Sequence, residues 1–293
     1  MTPTFDRFVA MDWSGSKSRR YSGISIAVCD AGRGAPKLVA PAGGIWTRSA
    51  VADWLTGEVG RGTRLLAGFD FGFSFPFEDG LGYLAGRMAE AMDVFALWDG
   101  IDALSRDDPD FGCAGMVAAH AELFWTEGTH PANWVERRRL AEGACGAATR
   151  TYPESLYKLL HSKQVGKASM TGIRVLNEVR RRQGGRFSIW PFEMPAASVA
   201  VEIYPTLFRK QALGSTAKIR CRADLNRALR AFNVCPTSGH PDDVLTDHDT
   251  DALLSAAALR HIAPTPSLWG RPTDPRVLRE GWIFGVAGVG CGA

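Results

Sequence analysis

The sequence predicts an α/β protein in which a mixed β-sheet is flanked by helices. Short apolar runs near the N-terminus are typical of strands. A helical pattern then leads into a further apolar run, and strand and helix patterns alternate again in the last third. With 293 residues, 45% of them hydrophobic and 22% charged, the chain is long enough to bury a substantial core.

The first quarter of the chain predicts an antiparallel meander followed by a helical crossover. Apolar or alternating patterns at 8–11, 21–29 and 37–46 are typical of three short strands joined by tight turns. Residues 49–59 carry a helical pattern. The apolar run 65–69 then predicts a strand that lies parallel to a central one, because it follows a helical crossover.

The middle of the chain, 78–186, predicts helices rather than strands. Four candidate helices lie there, the last with Thr171 as its N-cap: 81–92, 94–104, 116–125 and 171–182. Strand and helix patterns return in the last third in this order: strand 199–204, a helix opened by Pro205, helices 222–232 and 249–262, and strand 282–286.

Cysteine usage and hydropathy are typical of a cytoplasmic protein. The six cysteines include no C-x-x-C pair, which argues against a zinc ribbon and is consistent with buried thiols in a reducing compartment. No apolar run approaches the ~18 residues of a membrane span. The N-terminus lacks the basic start and apolar stretch of a signal peptide. We therefore expect a cytoplasmic protein with no membrane partner.

Positive charge is concentrated in 137–186, although the net charge of the whole chain is only +3. This stretch holds twelve lysines and arginines against three glutamates, and a second basic run extends from Arg209 to Arg230. Nucleic acid as a partner accounts for both stretches, although a solvated helical face accounts for either one. Nine basic side chains are candidates for the contact: Lys17, Arg137, Arg138, Arg139, Lys163, Lys167, Arg180, Arg181 and Arg182. We expect both arginine triplets to be exposed on the side that carries the acids.

Three carboxylates stand where apolar strand patterns end, namely Asp12, Asp70 and Glu202. The carboxyl end of a central strand points into the crevice where α/β sheets carry out chemistry. A carboxylate that points inward there is costly unless it is paired or bound to a metal. The alternative is that each one marks a strand end and caps the next turn.

Residues 241–251 add a denser acidic cluster, with five aspartates and no lysine or arginine. Asp247, His248 and Asp251 lie within about one turn of one another and share one helix face. Helix N-termini favour acids, which accounts for one or two of the five. Together with the strand-end acids, the cluster predicts oxygen ligands for Mg²⁺ or Mn²⁺. Two such ions can activate a water and stabilise the leaving oxygen of a phosphodiester.

These motifs resemble the domain of unknown function 429 family, whose members are regarded as predicted nucleases of RNase H fold. The order of strands, acids and terminal helix also resembles the Holliday-junction-resolvase branch of the RNase H-like superfamily. Five motifs carry the resemblance: Met11-Asp12-Trp13-Ser14-Gly15, Gly68-Phe69-Asp70-Phe71, Val201-Glu202-Ile203-Tyr204-Pro205, Asp251-Ala252-Leu253 and Glu280-Gly281-Trp282-Ile283-Phe284.

The resemblance implies an RNase H-like mixed sheet of five strands, with a core formed by 1–77 and 187–293. Residues 78–186 would be a basic helical insertion that covers the active-site face. The implied activity is two-metal-ion hydrolysis of phosphodiester bonds in DNA or RNA. The expected metal ligands are Asp12, Asp70, Asp247 and Asp251. The expected catalytic residues are Asp12, Asp70, Glu202, His248 and Asp251.

Three other classes of protein stay open from the sequence. A non-catalytic module that binds nucleic acid or protein would also use the basic segments. An ATPase of the actin and sugar-kinase type would use the turn Ser14-Gly15-Ser16-Lys17 after Asp12 for phosphate. A hydrolase with a cysteine nucleophile would draw on these residues: Cys113, Cys145, His120, His130 and His161.

Overall fold

A mixed sheet organises the molecule in a computed structural model, which describes residues 2–16, 23–126, 128–132, 134–151, 153–160, 165–271 and 273–287. In these ranges the sheet has six strands: β1 (Arg7–Asp12), β2 (Ser25–Asp30), β3 (Lys37–Leu38), β4 (Leu65–Phe69), β7 (Phe187–Ile189) and β8 (Ser198–Glu202). Two further strands, β5 (Phe77–Glu78) and β6 (Gly82–Tyr83), form a separate hairpin. The order across the sheet is β3-β2-β1-β4-β8-β7.

The predicted meander and crossover are confirmed. Strands β3, β2 and β1 are antiparallel neighbours, whereas β4, β8 and β7 continue the sheet in parallel with β1. The sheet has six strands, one more than the five that the resemblance implies. The sequence patterns missed β7, because a strand of three residues is too short to show a periodicity. The predicted strand 282–286 is wrong: Ile283 makes a single bridge to Glu202, since β7 already pairs with β8 over Ser198–Ala200.

Helices cover the sheet on both faces. Their bounds are α1 (Arg48–Gly60), α2 (Val94–Leu104), α3 (Ala114–Ala119), α4 (Leu140–Thr149), α5 (Val165–Gln183), α6 (Pro205–Leu213), α7 (Arg222–Ala231), α8 (Asp247–Ile262) and α9 (Val277–Glu280). The helices predicted at 49–59, 94–104, 222–232 and 249–262 are confirmed within two residues, and Pro205 opens α6.

Three predicted helices in the middle of the chain are wrong in whole or in part. No α-helix covers 81–92, because Gly82, Leu84 and Gly86 adopt left-handed backbone angles there. The helix expected to begin at Thr171 begins instead at Val165. Thr171 is buried within it, and its hydroxyl donates to the Lys167 carbonyl rather than capping an end. The expected helix 116–125 is interrupted after α3 by a short 3-10 turn.

Successive side chains of each strand point to opposite faces of the sheet, so the core is divided into two hydrophobic clusters. Val9 and Met11 belong to the cluster that also contains the buried face of α5, whereas Phe8 and Ala10 belong to the cluster that contains α8. Residues of α2 and α5 are therefore packed into one core with the sheet. The stretch expected to be an insertion shares its interior with the strands that carry the acids.

Helix α8 packs unusually close to the sheet because the facing residues are small. A Cβ atom on Gly68 of β4 would lie 2.7 Å from the Leu259 Cδ1 atom of α8 and 2.7 Å from the Ile203 Cγ2 atom. Ala252, Ala256 and their alanine neighbours on α8 are fully buried. This close packing brings the acidic start of α8 to the carboxyl edge of the sheet.

Candidate active site

Three parallel strands end at the same edge of the sheet, and each ends in an acid. Met11 of β1 pairs with Phe69 of β4, and Phe69 pairs with Glu202 of β8. The backbone amide of Asp70 then donates to the Met11 carbonyl at 3.0 Å. The register therefore sets Asp12 and Asp70 side by side, whereas Glu202 lies one residue earlier, level with Phe69.

The N-terminal end of α8 completes this edge. Thr246 caps the helix by accepting a hydrogen bond from the Asp249 amide. The Ser25 hydroxyl donates to Asp249 Oδ1 at 2.7 Å, which ties the start of α8 to the first residue of β2. Since Ser25 pairs with Asp12 across the sheet, His248 and Asp251 come to lie beside the end of β1.

The loop after β1 is held against the first turn of α5. A Cβ atom on Gly15 would lie 2.5 Å from the Ala168 nitrogen, so this close approach requires glycine. The buried indole of Trp13 donates to the Thr171 hydroxyl at 3.1 Å. The first turn of α5, including Lys167, therefore forms one wall beside Asp12.

These elements enclose a cavity of about 920 Å³, a volume within the range of small-ligand sites. Six carboxylate side chains line its described part: Asp12, Asp70, Glu142, Glu154, Glu202 and Asp251. Four lysine or arginine side chains also line it: Arg139, Lys167, Arg209 and Lys218. Carboxylates therefore outnumber these cations by two, and His248 and Tyr204 also line the cavity.

Asp12 and His248 form a hydrogen-bonded pair in this cavity. His248 Nδ1 and Asp12 Oδ1 are 2.6 Å apart, with the aspartate buried and 46% of the histidine side chain exposed. Burial raises the pKa of Asp12 despite this hydrogen bond, and the nearby Asp251 charge adds to the rise. The bond to Asp12 in turn raises the pKa of His248, against the opposing effect of burial. The pair therefore retains a proton more readily than either group would alone.

Among the acids of the cavity, Asp70 has the fewest neighbouring groups that stabilise its negative charge. Its carboxylate accepts no hydrogen bond from any residue that the structure describes, and it lies in the cavity between Asp12 and Glu202. Burial raises the pKa of Asp70 well above its ordinary value near 3.8, and the charges of Asp12 and Asp251 raise it further. An additional cation in the cavity would relieve this repulsion.

Asp251 is neutralised by two cations of different character. The buried Arg209 guanidinium donates to Asp251 Oδ1, and it is also bonded to the Thr206 hydroxyl and the Thr216 carbonyl. The Lys218 ammonium donates to Asp251 Oδ2 at 2.6 Å from an exposed loop. Neither cation was among the nine expected contacts, although both lie in the second basic run, where their alignment with Asp251 depends on tertiary structure.

Glu202 is locked into a buried ion-pair network. Arg139 donates from Nη1 to Glu202 Oε2 at 2.8 Å, and its other nitrogens bind Glu202 Oε1 and Glu142. The Phe73 amide donates to Glu202 Oε2 at 3.0 Å. Arg139 also donates to the Glu280 carbonyl, while the Glu280 carboxylate accepts from the Leu140 amide. This network joins the start of α4 and the end of α9 to the end of β8.

Asp247, an expected metal ligand, does not line the described cavity. One of its oxygens lies 3.4 Å from the Arg220 guanidinium instead. The rest of the acidic run is also engaged in structural contacts: Asp243 binds Arg222, and Asp249 binds Ser25. The structure thus brings together Asp12, Asp70, Glu202, His248 and Asp251 around the cavity, whereas Asp247 lies outside its described lining.

The expectation of exposed arginine triplets near the acids is wrong for several members. Arg139 is only 2% exposed, because it neutralises two buried glutamates. Arg137 and Arg138 pair with Glu78 and Glu136. Lys17 and Lys163 lie outside the described residues.

The second triplet lies at the far end of α5. Lys167 is at the cavity, and Arg180 follows thirteen residues later, which places it about 20 Å along the helix. Arg180 pairs with Glu193, and Arg181 and Arg182 pair with acids on neighbouring helices. The triplet therefore fastens α5 to α1, to α2 and to the loop between β7 and β8 rather than lining the cavity.

The donor set can be tested for its fit to a divalent ion. Among the described residues, no three His, Cys, Asp or Glu side chains are already arranged as ligands of one ion. The oxygen donors that Mg²⁺ and Mn²⁺ prefer are nevertheless gathered in one cavity. Asp70 is unpartnered among described residues, and one oxygen of Asp251 is held only by Lys218. The residues fit a hard cation if Lys218 moves away from Asp251.

The structure does not favour Cys113 or Cys145 as the nucleophile of a hydrolase. Burial raises the pKa of Cys113 to about 11 and that of Cys145 to about 12, so neither is a thiolate near neutral pH. His161 lies outside the described residues.

Comparison with models of protein families, with curated proteins and with solved structures finds no match to this chain. Within the described ranges, every helix is too short or too polar to cross a lipid bilayer.

Proposed function

We propose that this protein is a metal-dependent nuclease with an RNase H-like core, which uses Mg²⁺ or Mn²⁺ to hydrolyse phosphodiester bonds in nucleic acid. One observation carries the proposal. Asp12, Asp70 and Asp251 come from three distant segments of the chain and line one cavity at the carboxyl edge of the sheet, with His248 beside them. The repulsion among Asp12, Asp70 and Asp251 in that cavity favours a bound cation.

The topology supports the same proposal. An antiparallel meander leads into parallel strands, and a terminal helix with an acidic start packs across them, as the RNase H-like resemblance implies. The excess of carboxylates over fixed cations argues against a site built only to bind polyanion. A module that binds phosphates without catalysis has no need for three acids beside the phosphate.

The catalytic roles follow from the environment of each residue. A bound divalent ion would supply Lewis acidity for the attacking water and for the leaving oxygen. Asp12, Asp70 and Asp251 would hold it through carboxylate oxygens. His248 is partly exposed and keeps its proton through Asp12, so it is suited to protonating the leaving oxygen. Lys167 lines the wall beside Asp12, where its charge would attract the phosphate backbone.

The decisive experiment measures cleavage of a mixed panel of single-stranded, duplex, branched and RNA–DNA hybrid substrates with Mg²⁺ and with Mn²⁺. Wild type should cleave at least one of them, and Asp12→Asn should remove that cleavage. Asp242→Asn is the matched control, because Asp242 belongs to the same acidic run but is exposed beside His240. ATP hydrolysis and binding are measured in parallel to test the kinase-like alternative.

Two results would change the proposal. Cleavage that survives both Asp12→Asn and chelation would remove the acids from the chemistry. Binding of polynucleotide with no cleavage, unchanged in Asp12→Asn, would replace the nuclease by a binding module.

A further inference from the structure

The two cations on Asp251 differ in whether they are able to leave it. Arg209 is 3% exposed and is bonded at once to Asp251, the Thr206 hydroxyl and the Thr216 carbonyl. Its departure would leave a buried guanidinium and a buried carboxylate without partners, which is costly. Arg209 is therefore a permanent part of the cavity wall.

Lys218 is held far less firmly. It lies in the loop between α6 and α7, 42% of its side chain is exposed, and its bond to Asp251 Oδ2 is the one ion pair it forms with described residues. An ammonium on a flexible four-carbon stem is readily hydrated. Lys218 is thus able to return to water at little cost, whereas Arg209 is not.

The charge in the cavity explains why a cation is held at this position. Asp251 lies close enough to Asp12 and Asp70 for its charge to raise the pKa of both, whereas the charge of Lys218 lowers both. The Lys218 ammonium therefore neutralises the acidic group as a whole through its contact with Asp251. A divalent ion among the same acids would supply twice that charge and make Lys218 redundant.

We infer that Lys218 is an exchangeable cation, which neutralises Asp251 in the metal-free protein and is displaced when a divalent ion binds. This inference rests on the proposed function, because it concerns the same site. Binding of Mg²⁺ or Mn²⁺ then includes the cost of breaking the Lys218–Asp251 pair. The lysine sets the affinity of the site and keeps the acids compatible with folding before the metal arrives.

The experiment is a calorimetric titration of metal-free protein with Mn²⁺ at one fixed ionic strength, without any substrate. Lys218→Met should bind Mn²⁺ roughly tenfold more tightly than wild type, because the competing charge is gone. Its melting temperature should be lower than that of wild type without metal and should rise more on adding Mn²⁺. Lys218→Arg keeps the charge and should not bind more tightly than wild type.

Lys210→Met is the matched control. It removes the same charge from the same part of the chain, but the Lys210 ammonium binds the Gly214 carbonyl on the surface instead of an acid in the cavity. Its Mn²⁺ affinity should equal that of wild type, since solvent and salt screen the distant charge.

The outcomes separate this inference from the proposed function. Tight Mn²⁺ binding that is equal in wild type and Lys218→Met would overturn the inference and leave the metal site standing. Tighter binding in both Lys218→Met and Lys210→Met would also overturn it, by showing only an effect of net charge. If neither wild type nor Lys218→Met binds Mn²⁺, the metal site fails and the inference fails with it.

Discussion

Asp70 and Glu202 stand at the ends of neighbouring parallel strands, yet their surroundings are opposite. Glu202 accepts hydrogen bonds from a buried arginine and from the Phe73 amide, so its charge is compensated in place. Asp70 accepts none from the described residues and faces the charges of Asp12 and Asp251. Two neighbouring strand ends therefore carry one carboxylate that holds the fold together and one whose charge is uncompensated.

The difference shows how to separate structural from chemical acids at one sheet edge. A buried carboxylate with a full set of donors contributes stability, and removing a partner is costly. A half-buried carboxylate such as Asp70, without donors among the described residues and beside other acids, is destabilised when charged, and such groups are typical of functional sites. Under the proposed function, this contrast assigns Glu202 to the framework and Asp70 to the chemistry.

The largest expected effect on stability comes from breaking the ion-pair network around Glu202. Arg139→Leu leaves Glu142 and Glu202 buried without their guanidinium, and burial already raises the pKa of Glu142. We expect the free energy of unfolding to fall by about 3–5 kcal/mol, measured by urea denaturation. Arg138→Leu is the control, because that neighbouring side chain pairs with Glu136 at the surface, and it should cost below ~1 kcal/mol. Equal losses in the two variants would contradict the assignment.

Asp70→Asn tests the proposed catalytic role of Asp70. Unlike Arg139→Leu, it should not lower the free energy of unfolding. Removing the uncompensated charge should leave the free energy of unfolding at pH 7 unchanged or raise it by on the order of 1–2 kcal/mol. Metal-dependent cleavage should fall by roughly 100-fold or more, because a ligand oxygen and its charge are lost. Glu202→Gln is the matched variant and should lose about 1–3 kcal/mol of stability. The contrast would be wrong if Asp70→Asn were the less stable of the two.

The pH dependence of stability sharpens the same contrast. The pKa of Asp70 is raised in the folded protein, so the folded state binds its proton more tightly than the unfolded state does. Asp70 therefore supports folding below its ordinary pKa near 3.8, and this support is lost as pH rises through the folded-state pKa. The difference in unfolding free energy between wild type and Asp70→Asn should change across that window. A constant difference from pH 4 to pH 8 would argue against the raised pKa.

Sequence patterns predicted the sheet and the convergence of acids better than they predicted the partners of the acids. Strand order and helix crossover follow from local apolar periodicity, and register then brings Asp12 and Asp70 together. The network around Arg139 joins residues that are 63 and 141 positions apart, which no local pattern reveals. The density of positive charge suggested a nucleic-acid surface at the triplets. Each of these six arginines instead neutralises at least one acid of the fold.

His248→Ala should have a smaller effect than either framework or ligand substitutions. The hydrogen bond to Asp12 raises the pKa of His248, so the pair adds stability that is present below pH 6.5 and is lost as pH rises through the folded-state pKa. Because almost half of the side chain is exposed, we expect a loss below ~1 kcal/mol at pH 6. Cleavage should slow, and the fall in rate that deprotonation of His248 causes at higher pH should disappear from the pH profile. His240→Ala, at an exposed position, serves as the control.

The smallest effect is expected at the second arginine triplet, although sequence analysis placed it in the nucleic-acid contact. Arg181→Glu combined with Arg182→Glu reverses two charges that pair with Asp99 and Asp53, about 20 Å along α5 from the cavity. Affinity for polynucleotide, measured in EDTA, should stay within about twofold of wild type. The slope of the logarithm of affinity against the logarithm of salt concentration should be unchanged. Lys167→Glu changes one charge on the cavity wall and should weaken binding and reduce the slope by roughly 0.7–0.9. The reverse ranking of the two variants would move the nucleic acid from the acidic cavity to the far end of the helix. The acids would then be separated from any substrate, and the contrast between Asp70 and Glu202 would have no bearing on catalysis.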